Sequence, residues 1–238
     1  MMLINPYRFV SSGGGGDSDP YFSKVTFLSH FDGASGDQAA VDQKGSSLSF
    51  SGSAQLGSPA KFGPTALSLP GNGPSYVQMS SSTSWDFGTG NFTLEMFLGW
   101  KGGTAGLLSR RDGVAEGWAL QIESDGTLTF RAKIGGAWSD RQLETAAGTM
   151  KSTGAYQHLA LTRNANLWAF WVDGSLVASK TITGSLDDLA KPIRIGQATS
   201  VTYNENPLNG LIDELRVTKG VARYTSAFTP PDAAFPNQ

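Results

Sequence analysis

From residue 25 onward, apolar and polar positions alternate in short runs separated by glycine-bearing turns. Phe92, Leu94, Met96, Leu98 and Trp100 alternate with Thr93, Glu95, Phe97 and Gly99, so one face of that segment is wholly apolar and the period is that of a strand. Two hairpins are predicted. Residues 118–123 meet 127–131 across Asp125-Gly126, and 167–172 meet 176–182 across Asp173-Gly174. Asp-Gly supplies the positive φ angles that tight turns require. A first strand is predicted at 25–31, with others at 65–69, 75–79, 105–110, 156–163, 192–196 and 210–218. No segment of helical length has an apolar period of 3.6, and helix is expected only as a turn or two near 185–189. The run Leu167-Trp168-Ala169-Phe170-Trp171-Val172 is apolar on both faces. Such a strand is either covered twice or leaves an aromatic patch in water.

Composition narrows the chemistry. The 238 residues carry 30 Gly and 11 Pro, 18 Lys+Arg against 20 Asp+Glu, and a net charge of −2. That balance leaves no basic footprint for nucleic acid or an anionic membrane, so neither is expected as a partner. The absence of Cys excludes disulfides, thiolate metal sites and a cysteine nucleophile, and two histidines, His30 and His158, cannot build a histidine-rich metal centre. No apolar run reaches the roughly 20 residues of a membrane span, and the first residues lack the apolar core of a signal peptide.

Residues 1–24 read differently from the rest. A Ser/Gly/Asp stretch at 11–19 has linker composition and follows a short peptide with Ile4, Tyr7 and Phe9 as apolar anchors. This arm is either a solvated tail or a docking element for a partner. The expected organisation is an arm over 1–24, one domain over 25–231 and a short tail over 232–238.

Ordered pieces of the chain carry a family resemblance. They are Phe31-Asp32-Gly33, Lys61-Phe62-Gly63, Ala66-Leu67-Ser68-Leu69-Pro70-Gly71, Trp85-Asp86-Phe87-Gly88, His158-Leu159-Ala160-Leu161, Trp171-Val172-Asp173-Gly174 and Asn209-Gly210-Leu211-Ile212-Asp213-Glu214-Leu215-Arg216-Val217. Over about 25–231 the chain resembles a concanavalin A-like jelly roll of the laminin-G-like type. The closing Arg216-Val217-Thr218-Lys219-Gly220-Val221-Ala222-Arg223-Tyr224, with Phe228-Thr229-Pro230-Pro231, resembles the end of such domains in tailed-bacteriophage virion proteins. The resemblance implies an all-β, two-sheet antiparallel sandwich whose first and last strands are neighbours. It also implies a place on a phage particle, with the arm contacting other virion proteins, a host-surface glycan as a further partner, and homo-oligomeric assembly. The fold hosts lectins, capsid modules and glycosidases alike, so it does not decide function.

Candidate chemistry then falls on three groups. The resemblance places Asp32 beside Asp213 with Asp42 in the adjoining loop, and related domains often hold a structural calcium there. Calcium needs six to eight oxygens, and loop amides are the alternative partners for a buried Asp213. Strict alternation puts Asp213 on the face of Leu211, Leu215 and Val217, and Glu214 on the opposite face with Arg216. Adjacent acids on opposite faces, with Glu95 alone on its strand, do not make the carboxyl pair of a retaining glycosidase. No catalytic residues are expected. Sugar stacking on an aromatic is the serious alternative to a purely structural role. Trp138, in the loop Gly135-Gly136-Ala137-Trp138-Ser139-Asp140-Arg141, and the loop Tyr203-Asn204-Glu205-Asn206 are its candidates, against the alternative that both aromatics cap the sandwich rim.

Overall fold

The computed structural model describes residues 18–111, 116–198 and 206–238. Among them are sixteen strands and two single-turn 3-10 helices, Phe22–Lys24 and Thr83–Trp85. Sheet A has the order β14 (Ser175–Thr181), β13 (Leu167–Val172), β12 (Gln157–Asn164), β7 (Phe92–Trp100), β16 (Asn209–Lys219), β5 (Ala66–Pro70) and β4 (Gln55–Gly57), with β1 (Val25–Ser29) also on β16. Sheet B has the order β11 (Ala137–Glu144), β10 (Leu128–Ile134), β9 (Gly117–Ile122), β8 (Ala105–Arg111), β15 (Ile193–Ile195), β6 (Tyr76–Met79), β3 (Ser47–Ser51) and β2 (Ala39–Val41). The pairings are antiparallel, and β1 lies on β16 with Phe27 opposite Val217 and Ser29 opposite Leu215. This is the antiparallel jelly-roll sandwich that the strand pattern and the closing of first strand on last imply.

The inward faces interlock aromatics. Phe130 and Phe92 pack on Trp168 with ring centres 5.3 and 5.4 Å apart, and Trp85 stacks on Trp118 at 6.2 Å. All six rings of this inner layer that belong to Trp85, Trp118, Trp168, Phe92, Phe130 and Phe170 are fully buried. Burial of that size is the main driving force for the fold.

Sheet A is covered twice. Phe97 faces away from the sandwich core and packs with Val25, Leu28 and Phe235. Ala160, Ala169 and Trp171 do the same with Tyr224, and Phe228 packs on them. The doubly apolar strand β13 is therefore sealed on both sides. Trp168 and Phe170 point into the core, while Trp171 lies under Phe228 and donates from Nε1 to Thr162 Oγ1 at 2.9 Å. The Asp173-Gly174 turn has φ of 48° and 78°. A side chain on Gly174 would collide with the Phe228 carbonyl, whose residue also donates its amide to Gly174 O at 3.0 Å. Glycine is needed there for both the turn and the close crossing.

The covering segments are held by buried charge. Asp19 accepts from Arg216 at 3.2 Å and from Arg223 at 3.0 and 2.6 Å. Glu95 accepts from Arg216 Nε at 2.9 Å and from the Tyr224 hydroxyl at 2.6 Å, with His158 Nε2 at 3.3 Å. The domain boundaries expected at 25 and 231 thus fall inside packed structure. Asp19 is buried before the first, and Phe235 is buried after the second.

Four strands escape the sequence pattern: β2, β3, β4 and β11. The first three are short, and β2 and β4 are sheet edges, so a clean alternation is not demanded of them. No helix forms at 185–189; Leu186 instead bridges to Ile134 as an isolated β pair. Among the described residues no helix is long and apolar enough to cross a membrane.

Burial alone would raise the Glu95 pKa, but Arg216, the His158 hydrogen bond and Arg223 outweigh it and hold the carboxylate far below its usual range. A depressed acid stabilises the fold above pH 4.5, its ordinary value, and that stabilisation is lost as pH falls below it. Glu95→Gln leaves two buried guanidinium groups under-compensated, and a loss of about 3 kcal/mol in urea unfolding at pH 7 is expected. A loss below about 1 kcal/mol, the scale of an exposed pair, would contradict this account of the network.

Candidate functional site

With the outer face of the central strands of sheet A covered by residues 18–24 and 220–238, the outer face of sheet B is the broad sheet surface to consider. Its side chains follow from alternation along β9 and β10. Trp118, Leu120 and Ile122 point inward, as do Leu128, Phe130, Ala132 and Ile134. Gln121, Arg131 and Lys133 therefore point outward. Gly135-Gly136, with φ of 59° and 83°, closes the hairpin from β10 into β11 and sets Trp138 opposite Lys133.

These positions are linked across the face. Glu123 Oε1 accepts from Arg131 Nη2 at 2.8 Å, and Arg131 Nη1 reaches Asp140 Oδ1 at 3.4 Å. Asp140 Oδ1 also accepts from Trp138 Nε1 at 3.2 Å. The Arg111 guanidinium lies 4.5 Å from the Trp138 ring centre, within cation–π range. Beside this run lies a cavity of about 260 Å³ lined by Arg111, Gln121, Glu123, Arg131, Thr104 and Asn206 and by the apolar Ala105, Gly106 and Ala198. Fixed carboxylate, guanidinium and amide groups next to a half-buried indole can hydrogen-bond hydroxyls and stack a sugar ring.

The expected site residues fare differently. Trp138 is not in a loop but in strand β11, half-buried, with Arg111 over its ring. The Gly-Gly hairpin signal that precedes it makes this strand. Arg111, Gln121, Glu123 and Arg131 were not singled out, and polar positions on or beside otherwise apolar strands were the available signal; Asn206 belongs to the 203–206 loop that was. Tyr203 and Asn204 lie outside the described residues, as do Ile4, Tyr7 and Phe9.

The acids Asp32, Asp42 and Asp213 do not form one donor set. Among the described residues no three His, Asp or Glu side chains gather as metal ligands would. Asp42 accepts from the amides of Leu28 at 3.4 Å and Ser46 at 2.5 Å. Asp213 accepts from Lys61 and Phe62 at 2.7 and 3.1 Å and from Glu214 at 2.9 Å. Asp32 is exposed. Carboxylates already engaged by separate backbone amides do not fit a calcium cage.

Alternation fails in β16, and this corrects the expected facing of Asp213. A bulge between Asp213 and Arg216, with Glu214 at φ 52°, inserts an extra residue. Ile212, Leu215 and Val217 enter the core, while Asp213 pairs with the outward Phe97. Glu214 turns to the same outer side, where it accepts from the Phe235 amide at 2.8 Å and meets His30 Nδ1 at 2.8 Å. His30 Nε2 lies 2.8 Å from Asn237 Oδ1. With acceptors at both ring nitrogens, the site favours an imidazolium. His158 is buried against Phe97 and Glu95, a packing and hydrogen-bonding role.

Sequence comparison is consistent with this geometry: residues 71–223 match the family described as the concanavalin A-like lectin/glucanases superfamily. The chain belongs to this superfamily. No curated protein matches it in sequence. Among solved structures, Domain 4 of AbnA, a GH43 extracellular arabinanase from Geobacillus stearothermophilus in complex with arabinotriose, superposes with a TM-score of 0.61 at 17% identity, covering 84% of this chain and 94% of that one. The binding domain of Paraclostridial Mosquitocidal Protein 1 gives 0.59 at 16% identity, over 88% of this chain and 50% of that one. The binding domain of Botulinum Neurotoxin DC in complex with SialylT gives 0.56 at 13%, over 84% and 49%. The superfamily member described here thus spans about half of those two binding domains. At such identities the shared feature is the fold. Two of these solved chains are named as binding domains and the third as a domain of an arabinanase, and this superfamily chain shares their architecture.

Two ionisations mark the covered side. Burial pushes the Asp213 carboxyl up to about 6, against the amides of Phe62 and Lys61. Burial would lower His30, but its hydrogen bonds to Glu214 and Asn237 outweigh this and its pKa lies above 6.5. Both shifts are upward, so each contribution to stability is complete below the group's ordinary pKa and fades as pH rises through the folded one. For Asp213 that window runs from 3.8 to about 6, and for His30 it begins at 6.5. Carboxyl and imidazole NMR titrations are expected to give a midpoint near 6 for Asp213 and above 6.5 for His30. Midpoints at the ordinary values would show these environments to be wet.

Proposed function

We propose that this chain is a non-catalytic glycan-binding module whose recognition surface is the outer face of sheet B around Trp138. One observation carries it. The contact run Glu123–Arg131–Asp140–Trp138–Arg111 borders a cavity of about 260 Å³ on that face. Its groups are planar, paired and fixed on strands, which suits hydroxyl recognition at little entropic cost. Two of the solved structures with this fold are complexes, one with arabinotriose and one with SialylT, which supports the class of ligand without specifying it. A glycan array probed with the wild type and with Trp138→Ala tests the proposal. Wild-type binding to a subset of polysaccharides, weakened about tenfold or more in the variant (about 1.4 kcal/mol) with unchanged melting temperature, is expected. No binding by the wild type, or equal binding by both, would refute it.

A second reading concerns where the module works. The closing segment and the 1–24 arm resemble parts of phage particle proteins, and the arm leads into residue 19, whose amide donates to Gln238 O at 2.7 Å. Attachment through the arm to other virion proteins would then leave the opposite sheet B face outward, towards host-surface glycan. Deletion of residues 1–16 should leave the module folded and competent on the array, yet abolish its incorporation into particles. Normal incorporation would defeat the particle reading and leave the glycan reading standing.

A further inference from the structure

The chain holds two Asn-Gly pairs that the binding reading leaves aside, Asn72-Gly73 and Asn209-Gly210. Such a pair is chemically labile, because glycine has no side chain to keep its amide nitrogen from the asparagine carboxamide. The fold treats the two pairs oppositely. Asn209-Gly210 lies in β16, where Asn209 pairs with Pro70 and Gly210 with both Leu69 and Trp100. Gly210 is buried, and a Cβ built on it would meet Gly99 O at 2.5 Å. That peptide is pinned in an extended ladder on two sides.

Asn72-Gly73 lies in the connection from β5 of sheet A to β6 of sheet B, and both residues are exposed. Gly71 and Gly73 have φ of 71° and 53°, and nothing packs within 4 Å of where a Gly73 Cβ would sit. Beneath this exposed turn is a buried hydroxyl. Ser75, 1% exposed, donates from Oγ to Asn72 O at 2.7 Å and accepts from the Ser53 amide at 3.2 Å. Its own amide donates to Gly73 O at 2.9 Å, which holds the turn in place. The Asn72 carbonyl belongs to the same peptide group as the Gly73 nitrogen. A hydroxyl donating to that oxygen draws electron density from the group and stabilises the nitrogen once it has lost its proton. The Ser53 amide polarises the hydroxyl in turn, and such chains of hydrogen bonds strengthen one another.

We propose that Asn72 is a site of spontaneous modification, converted to aspartate and isoaspartate, and that the Ser53–Ser75 relay hastens the conversion. The Gly73 nitrogen gives its proton to water or hydroxide and attacks Asn72 Cγ. The new C–N bond closes a five-membered imide, and the Cγ–NH₂ bond breaks, with ammonia leaving after taking a proton from water. Water then opens the imide. Attack at the former side-chain carbonyl gives aspartate, and attack at the main-chain carbonyl gives isoaspartate. No oxidant or reductant takes part. Each conversion adds one negative charge to a chain of net charge −2. The isoaspartate product also lengthens the main chain by a methylene in a link between the two sheets.

Peptide mass spectrometry of the full chain, held at mildly alkaline pH, follows aspartate and isoaspartate at both pairs. Conversion is expected at Asn72 with Asn209 intact. Ser75→Ala should slow it about fivefold, the scale of one hydrogen bond, and Ser75→Thr, which keeps the hydroxyl, should restore it. In guanidinium chloride the relay is gone, so Asn72 and Asn209 should react alike and Ser75→Ala should have no effect. Asn72 should also react no more slowly in the native chain than in denaturant, a comparison that needs no variant to fold. Conversion at Asn209 as fast as at Asn72 in the native chain, or protection of Asn72 by folding, would overturn the site. A folded Ser75→Ala variant reacting at the wild-type rate would overturn the relay.

Discussion

Two carboxylates and two guanidinium groups, out of water on the outer side of sheet A, set the terms for the rest of this molecule. Asp19, Glu95, Arg216 and Arg223 are each at most 5% exposed. Charges so placed are tolerable only when they are paired and their remaining donors and acceptors are used. Here each acid meets both arginines: Asp19 at 3.2 and 2.6 Å, Glu95 at 2.9 and 3.6 Å. Phe235 lies over Arg216 at 3.7 Å and closes the site from above. The four charges come from the segment before β1, from β7, from β16 and from the segment after β16. Satisfying them therefore requires the chain on both sides of the sandwich to lie across sheet A.

That requirement divides the labour between the sheets. Sheet A becomes a doubly covered slab, its strands β7 and β12 buried along nearly their whole length. Sheet B keeps one polar face. On that face the groups are held by strand geometry, and the loops have little part in placing them. Arg131, Lys133 and Gln121 project from strands whose other residues anchor the core, so the surface is as stiff as the core beneath it. The acids that a catalytic reading would need are elsewhere: Glu95 beneath the covering segments, Asp213 and Glu214 engaged by amides and His30.

Much of the sandwich was legible in the residues. Alternation marked β7, and Asp-Gly turns marked the hairpins between β9 and β10 and between β13 and β14. The pairing of β1 with β16 followed from the resemblance and is present residue by residue. What was illegible has physical reasons. Period-two alternation has no symbol for a bulge, so Glu214 shifted the facing of Asp213 without warning. Asp19 sits in a stretch of linker composition, and its partners lie 197 and 204 positions away, so no local pattern could expose it. The polar groups on the outer face of sheet B are spread over β8, β9, β10 and β11 and the residues around 206. Trp138 and the 203–206 loop stood out from their neighbours, and Trp138 was expected in a loop, whereas Gly135-Gly136 is the turn and Trp138 lies in β11.

The central claim is that residues 18–24 and 232–238 are integral covers of sheet A, locked by buried charge, and that the outer face of sheet B is left without such a cover. Native-state hydrogen exchange resolved by peptide measures this directly. The account predicts that the amides of Asp19, Phe22 and Phe235, each bonded in the folded chain, and those of β7 exchange only through opening close to global unfolding, and that all slow or quicken together when pH moves across the Glu95 window. Rapid exchange at 18–24 and 232–238 with β7 still protected would contradict it, since the covers would then be loose and sheet A open to partners.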